Sequence, residues 1–317
     1  MASGKPAAGK VPKSAGLLER MKRQRVKLLL LLPFLGYFIL FKYVPIIGNI
    51  AAFEDFSYKK GVFGSALVGF KYFVYFFKSP DLLPVLRNTL VISVLGIVCN
   101  TVAAVVFALL VCELKNAPFK KTVQTISYLP NFISWVVIVG MAMTFLSIDT
   151  TGVVNAALMG LGVVKAPVNF LGNKDLYWPM VTVLGVWKSV GWNSIIYIAA
   201  ITSLDKEMYE SAVIDGAGKL RQIWYITLPS IRPTILILLI FALGYVLNAG
   251  IEPNLLLQNP MNLSRSEVLE TYIANYGLRQ FNYPYGTAVG LVKSVVGLGL
   301  VVVTNQISRK IFHMGVF

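Results

Sequence analysis

Residues 209–233 read Tyr-Glu-Ser-Ala-Val-Ile-Asp-Gly-Ala-Gly-Lys-Leu-Arg-Gln-Ile-Trp-Tyr-Ile-Thr-Leu-Pro-Ser-Ile-Arg-Pro. They form a polar gap between two membrane-length apolar runs. Within the gap, Tyr209, Ala212, Val213, Ala217, Leu220, Ile223 and Trp224 recur at helical spacing, so a segment outside the bilayer carries an apolar face. Such a face usually meets another protein. Asp205 is placed to cap a first short helix with Glu207 in its first turn. Gly216 follows Asp215 where that helix must stop, because glycine adopts the left-handed backbone that a sharp turn needs. Asp215 is then expected to cap a second helix over residues 217–227, with Pro229 and Pro233 bracketing entry to the next run. The expected product is two short helices joined at a fixed elbow.

The rest of the chain says where this elbow lies. Hydrophobic residues make up 56% of the sequence, charged residues 14%, and mean hydropathy is +0.69. Those values point to an integral membrane protein. A spanning helix needs about 20 apolar residues. Six runs qualify, at residues 28–53, 88–112, 123–147, 178–204, 234–250 and 286–308, with Leu255 to Leu257 available to extend the fifth. They are too long and too continuously apolar for barrel strands, so the expected fold is an all-α membrane protein with six transmembrane helices. The sequence divides into a basic tail at 1–27 and a transmembrane domain at 28–317 that contains the loop 205–233. Seventeen of the 29 lysines and arginines fall in the tails and loops on the side of the N-terminus. The positive-inside rule therefore places both termini, and the elbow, in the cytoplasm. The charge of +15 is mostly this topology signal, and no basic stripe interleaved with aromatics suggests nucleic acid. The run from Leu28 is too long for a signal peptide, so it reads as a retained span whose basic tail lies on anionic lipid.

Several chemistries are excluded. Cys99 and Cys112 lie in one span about 19 Å apart along a helix axis and cannot pair. His313 is the one histidine, and no cluster has metal-ligand spacing. No Gly-x-Ser-x-Gly elbow occurs. Gly64 and Gly69 have the spacing of a P-loop, but Phe70 stands where its lysine would be. The chain is thus expected to hydrolyse no ATP and to hold no cofactor or metal. None of the 14 acidic residues falls in the six runs, which disfavours a proton- or sodium-coupled carrier. A secondary transporter or channel for a small anionic or sugar solute is the alternative class. A membrane-embedded enzyme would need His or Asp clustered at the bilayer edge.

Three lysines do lie in the runs. Lys42, near an end, is a snorkelling residue. Lys188, in Val-Trp-Lys-Ser-Val-Gly-Trp-Asn, and Lys293 lie deep. Each either faces a water-filled pathway or a protein partner, or pairs with carbonyls or across a subunit interface. A cationic pathway would favour an anionic solute. Asn100, Thr101, Ser134, Asn193 and Asn248 are candidates for interhelical hydrogen bonds. Lys188, Trp192, Asn193, Asn248 and Lys293 are the candidate pathway residues. Gly286-x-x-x-Gly290 followed by Ser294 allows close helix approach. The rings from Phe53 to Phe77 suit an interfacial belt or a helix lying on the bilayer, with sugar stacking the sharper reading.

Glu210-Ser211-Ala212, Asp215-Gly216-Ala217, then Ile226, Leu228-Pro229 and Pro233, resemble the EAA loop of binding-protein-dependent ABC importer permeases. Ser211 departs mildly from that pattern. Lys42-Tyr43-Val44-Pro45, Arg87-Asn88-Thr89-Leu90, Phe119-Lys120-Lys121, the stretch from Ser127 to Trp135, and Trp187-Lys188 with Gly191-Trp192 resemble the oligosaccharide and polysaccharide subgroup. Within it the likeness is greatest to permease subunits of alginate importers. The resemblance implies a type I permease fold in the inner membrane, coupled through Glu210, Ser211, Ala212, Asp215, Gly216 and Ala217. It implies a second permease of a different chain, two ABC ATPase subunits that bind ATP and magnesium, and a periplasmic solute-binding protein. Lys188 belongs to the subgroup's ordinary pattern, whereas Lys293 departs from it and points to a uronate.

Overall fold

The structure, a computed structural model, describes residues 24–149 and 152–312. Most of the basic tail, and His313, lie outside the described residues. The first helix, α1, runs Arg25–Phe53, and its most apolar window has no residue buried within the chain. A two-residue antiparallel pair, β1 (Glu54–Asp55) and β2 (Ala66–Leu67), leads to α2 (Lys71–Lys78) and the long α3 (Leu82–Glu113). Next come α4 (Ala117–Phe132), α5 (Trp135–Phe145), α6 (Val153–Gly160) and α7 (Lys174–Thr202). The elbow is α8 (Lys206–Ile214) followed by α9 (Lys219–Gly244). Three short helices, α10 (Ile251–Leu257), α11 (Leu263–Ser266) and α12 (269–279), precede the last, α13 (Tyr283–Phe312).

The chain is all-α apart from the β1–β2 pair, but the six runs are not six straight rods. Among the described residues, four helices are long and apolar enough to cross a membrane: α1, α3, α9 and the part of α13 at Tyr283–Gln306. The run at 123–147 is instead a bent pair, with α4 and α5 meeting at 99°. Pro130 sits in the last turn of α4 and Ser134 caps α5 by accepting from the Val137 amide, so one helix ends and another starts. The run at 178–204 is the 29-residue α7, long enough to span but diluted by Lys188, Ser189, Asn193 and Ser194.

The fifth run departs furthest from expectation. Residues 217–227 do not form a separate helix. The helix begins at Lys219 and continues through Pro229 and Pro233 to Gly244. The turn at Ile223–Thr227 is widened, which absorbs the missing proline donor without a break. It stops at Gly244 rather than Gly250. Gly250 has φ of +86°, a left-handed turn, and Leu255 to Leu257 belong to the separate α10.

Among the described residues, one of three core clusters lies where α3, α7 and α9 meet. Ala104 and Ala108 of α3 are fully buried against Tyr197 and Ile198 of α7 and Ile231 of α9. Small residues let these backbones approach without costly voids. Asn100 accepts from the Ser189 hydroxyl at 2.5 Å, an interhelical bond of the expected kind. Cys99 and Cys112 are both free thiols.

Residues 250–282 are not a simple outer loop. They fold back onto α3, α7 and α13. The Asn88 amide donates to the Ser264 and Glu267 carbonyls, and the Thr89 hydroxyl accepts from the Leu269 amide at 2.9 Å. Trp178 donates to the Arg265 carbonyl, and Tyr177 donates to fully buried Asn254. The Arg87-Asn88-Thr89-Leu90 stretch thus supplies donors and acceptors that hold this segment down. On its other side, Gly277 and Gly286 cross closely: a Cβ on Gly286 would lie 2.6 Å from the Gly277 Cα. Gly290, the next small residue of the stripe, faces open space. Of the outer rings, Phe53, Phe70 and Phe73 pack on one another and Phe76 is buried beside Tyr272 and Tyr285, whereas Tyr58 and Phe63 stay exposed.

Candidate functional site

Two features are candidates for function, the elbow and a pair of cavities at the far end of α9. At the elbow, Asp205 accepts from the Glu207 amide at 3.0 Å and caps α8 as expected. Gly216 has φ of +76°. The Ala217 amide returns to the Ala212 carbonyl at 2.8 Å and the Gly216 amide to the Val213 carbonyl at 3.0 Å. That paired return is the Schellman closure, which satisfies the free carbonyls of a helix end. Asp215 does not cap the second helix. It ends α8, and Gly218 precedes Lys219 with no side-chain cap.

Further bonds fix the angle between α8 and α9. Tyr209 and Thr227 share a hydroxyl bond of 2.9 Å, and the Gln222 amide donates to the Ala217 carbonyl. Lys219 pairs with Glu113 at the end of α3 at 3.0 Å, an exposed pair worth at most about 1 kcal/mol. The apolar stripe divides in two. Tyr209, Ala212, Ala217 and Ile223 are half-buried within the elbow. Val213, Leu220 and Trp224 face outward, joined by Ile214 (87% exposed) and Tyr225 (78% exposed). Ile214 closes the first helix and Tyr225 lies on the second, beyond the turn at Gly216, so no single helical period runs through both. A groove of about 410 Å³ gathers Ala212, Asp215 and Ala217 with Arg221 and Tyr225. Glu210 and Ser211 lie exposed on α8 beside it.

The first cavity, about 720 Å³, lies among α3, α5, α7 and α9 and the residues just after α9. It brings together Trp192, Asn193 and Asn248, with Trp135, Tyr197 and Tyr245. The Asn193 and Asn248 side chains are exposed to it rather than bonded between helices. Ser93 and Thr182, which the sequence reading passed over, also line it. Their hydroxyls are buried with no hydrogen-bond partner among the described residues. Unmet donors and acceptors among aromatic faces suit a polyhydroxylated ligand.

Lys188 lines neither cavity. Its ammonium donates to the carbonyls of Pro130, Asn131 (2.9 Å) and Ile133 and lies 5.7 Å from the Trp135 ring centre. The reading of Lys188 as a pathway cation is therefore corrected. It caps the last turn of α4, where carbonyls lack helical partners. Around it Gly191 lies against the Ser127 carbonyl, where any Cβ would collide, and Trp192 meets Phe132 edge-on at 5.7 Å. The two quoted stretches, from Ser127 to Trp135 and from Trp187 to Trp192, are two sides of one joint.

The second cavity, about 730 Å³, lies between α9 and α13 and shares Tyr245 and Asn248 with the first. Lys293 lines it with Ser294, Gly290 and Gly297. Lys293 is paired with Glu270 of α12 at 2.8 Å, both side chains mostly buried. A carboxylate thus reaches a lysine of a membrane-spanning helix from a segment that reads as external. The absence of acids from the apolar runs does not mean their absence from the interior.

Among known proteins, residues 101–313 match the family of binding-protein-dependent transport system inner membrane components. Two Bacillus subtilis strain 168 proteins align over nearly the whole chain. Protein LplB is 41% identical over 96% of this chain and 95% of its own length. The polygalacturonan/rhamnogalacturonan transport system permease protein YteP is 40% identical over 97% and 95%. A crystal structure of a bacterial alginate ABC transporter, in complex with a periplasmic protein bound to alginate pentasaccharide, contains a similar chain. It superposes with a TM-score of 0.85 at 37% identity, covering 95% of this chain and 99% of that one.

Proposed function

This chain belongs to the binding-protein-dependent transport system inner membrane components, and on that premise we propose that it forms half of the pathway for an acidic oligosaccharide. One observation carries the reading. The helix that starts at the elbow, α9, runs unbroken for 26 residues, about 39 Å, and delivers Tyr245 and Asn248 to both cavities. A push on the elbow is thereby a displacement of the cavity wall.

The parts then fall into roles. Glu210, Ser211, Ala212, Asp215, Gly216 and Ala217 form the coupling surface, with Ile214, Leu220, Trp224 and Tyr225 supplying apolar contact to a separate ATPase subunit. Such exposed side chains beside a rigid turn suit a lever seated in a groove. ATP and magnesium belong to that partner, and two ATPase subunits serve two permeases. A second permease chain completes the pathway, and a periplasmic binding protein delivers cargo. The elbow and both termini face the cytoplasm in the inner membrane. In the first cavity Trp192 offers a flat face to a sugar ring, and Asn193, Asn248, Ser93 and Thr182 offer bonds to hydroxyls. The acidic character of the cargo rests on two relatives, one named for polygalacturonan and one solved as an alginate transporter.

The test is ATP hydrolysis by the purified complex in lipid nanodiscs. Binding protein loaded with an oligouronate should stimulate it several-fold, and binding protein loaded with a neutral glucan oligomer should not. Equal stimulation by both would remove the acidic cargo. No stimulation by any oligosaccharide would remove the saccharide.

A further inference from the structure

Lys293 is a cation in the wall of a cavity, yet its charge is already met. Glu270 lies on it through one oxygen, Oε1, at 2.8 Å. The other oxygen, Glu270 Oε2, is buried with no hydrogen-bond partner among the described residues. The carboxylate is thus held by a single contact rather than by the several that a structural buried pair needs to offset desolvation. Its backbone belongs to α12, part of the segment that folds back from the outer side, while Lys293 belongs to the spanning α13.

The lysine is also accessible where it matters. It lines the 730 Å³ cavity with Tyr245, Asn248 and Ser294, a volume in the range that holds small ligands. The small residues Gly290, Ser294 and Gly297 leave that face of α13 open. An ammonium has three donors, so a carboxylate arriving through the cavity can bond to Lys293 before Glu270 leaves.

We propose that Lys293 is the carboxylate-reading residue of this subunit, and that Glu270 is an internal stand-in occupying it until a uronate carboxylate displaces it. This rests on the acidic-oligosaccharide reading above. The pair keeps the cavity neutral at rest, so that no bare cation sits in the membrane interior. When a uronate binds, Lys293 exchanges one carboxylate for another, the charge on the lysine stays balanced, and the displaced Glu270 carboxylate turns into the open cavity, where water replaces the lysine. A neutral sugar offers no such exchange. Discrimination then comes from one site and does not require Lys188, which is committed to the joint between α4 and α5.

The experiment uses the whole complex in nanodiscs and one pair of probes, an oligogalacturonate and its fully methyl-esterified form, each delivered by the same binding protein. ATP hydrolysis is titrated for the wild type, Glu270→Gln, Lys293→Met and the double substitution. Removing the competitor in Glu270→Gln should lower the half-maximal concentration of the acid at least three-fold and leave that of the ester unchanged. Lys293→Met should raise it about ten-fold for the acid alone, and the double substitution should behave like Lys293→Met. A structural pair would behave otherwise: each single substitution would impair both probes, and the double would recover wild-type values for both. That result overturns the assignment. So does a Glu270→Gln complex indistinguishable from wild type. If the wild type itself responds alike to acid and ester, the acidic cargo fails and this assignment with it; the other two outcomes leave the acidic cargo standing.

Discussion

Lys188 and Lys293 show how little a residue's type decides. Both are deep lysines in apolar runs, and from sequence alone each could face a pathway or pair internally. Lys188 donates to three carbonyls at the end of α4. Lys188→Met would remove the ammonium from the Asn131 and Ile133 carbonyls, while the Pro130 carbonyl keeps the Ile133 amide, at about 1–3 kcal/mol for each group left unmet. Thermal unfolding of the complex should move several degrees lower, with transport of acid and methyl-ester cargo falling by equal factors. A selective loss for the acid would return Lys188 to the pathway. Glu267 is a carboxylate outside the spanning helices. Burial raises its pKa, the Asn275 amide lowers it, and nearby Asp81 raises it further. A carboxylate with a raised native pKa binds its proton more readily when folded, so its contribution is favourable below the ordinary carboxylate range and lost as pH rises through the native value. At neutral pH the charge therefore works against the fold-back segment, and Glu267→Gln should raise the unfolding temperature there, with the gain vanishing near pH 4. A lower unfolding temperature at pH 7 would contradict this. Asn193 and Asn248 were legible as polar groups in spans and as candidate pathway residues, but which cavity they line and what faces them there were not. Their orientation depends on what α3 and α9 place opposite them.

At the scale of elements, the sequence marked the elbow well because its signals are local. Asp205, Asp215-Gly216 and the stripe all act within one or two turns. The breaks were harder. Pro130 ends α4, yet Pro229 and Pro233 end nothing: a widened turn at Ile223–Thr227 precedes Pro229, and Pro233 lies within the helix that continues to Gly244. Local rules for proline cannot separate these cases without the surrounding packing. The fold-back of residues 250–282 was invisible for a related reason: its anchors, Asn88 and Thr89, lie some 180 residues away in sequence. The α7 joint gives a test at this scale. Gly191→Ala would gain helix propensity of about 0.5–1 kcal/mol. It would also drive a methyl group into the Ser127 carbonyl on α4, and overpacking typically costs about 1–3 kcal/mol. The expected net result is a less stable complex with a lower unfolding temperature in detergent. A more stable one would show that α4 and α7 are free to separate.

The whole molecule is, in the proposed function, a lever. Its outer end is a cluster of exposed apolar side chains at a Schellman-closed turn, its shaft is α9, and its inner end is the shared wall of two cavities. No part of α1's most apolar window is buried within the chain, so that helix waits for lipid or a second permease. In the proposed function the lever converts displacement at one end into a change of cavity shape at the other, which fits a family whose members are transport-system components. Stiffness at Gly216 is the central requirement, and φ of +76° there is out of reach for proline, whose ring holds φ near −65°. The direct measurement is ATP hydrolysis and oligouronate uptake by Gly216→Pro complexes that still assemble in the membrane. Hydrolysis should persist at its basal rate while its stimulation by loaded binding protein, and uptake with it, falls at least twenty-fold. Wild-type stimulation and uptake in an assembled Gly216→Pro complex would contradict the lever.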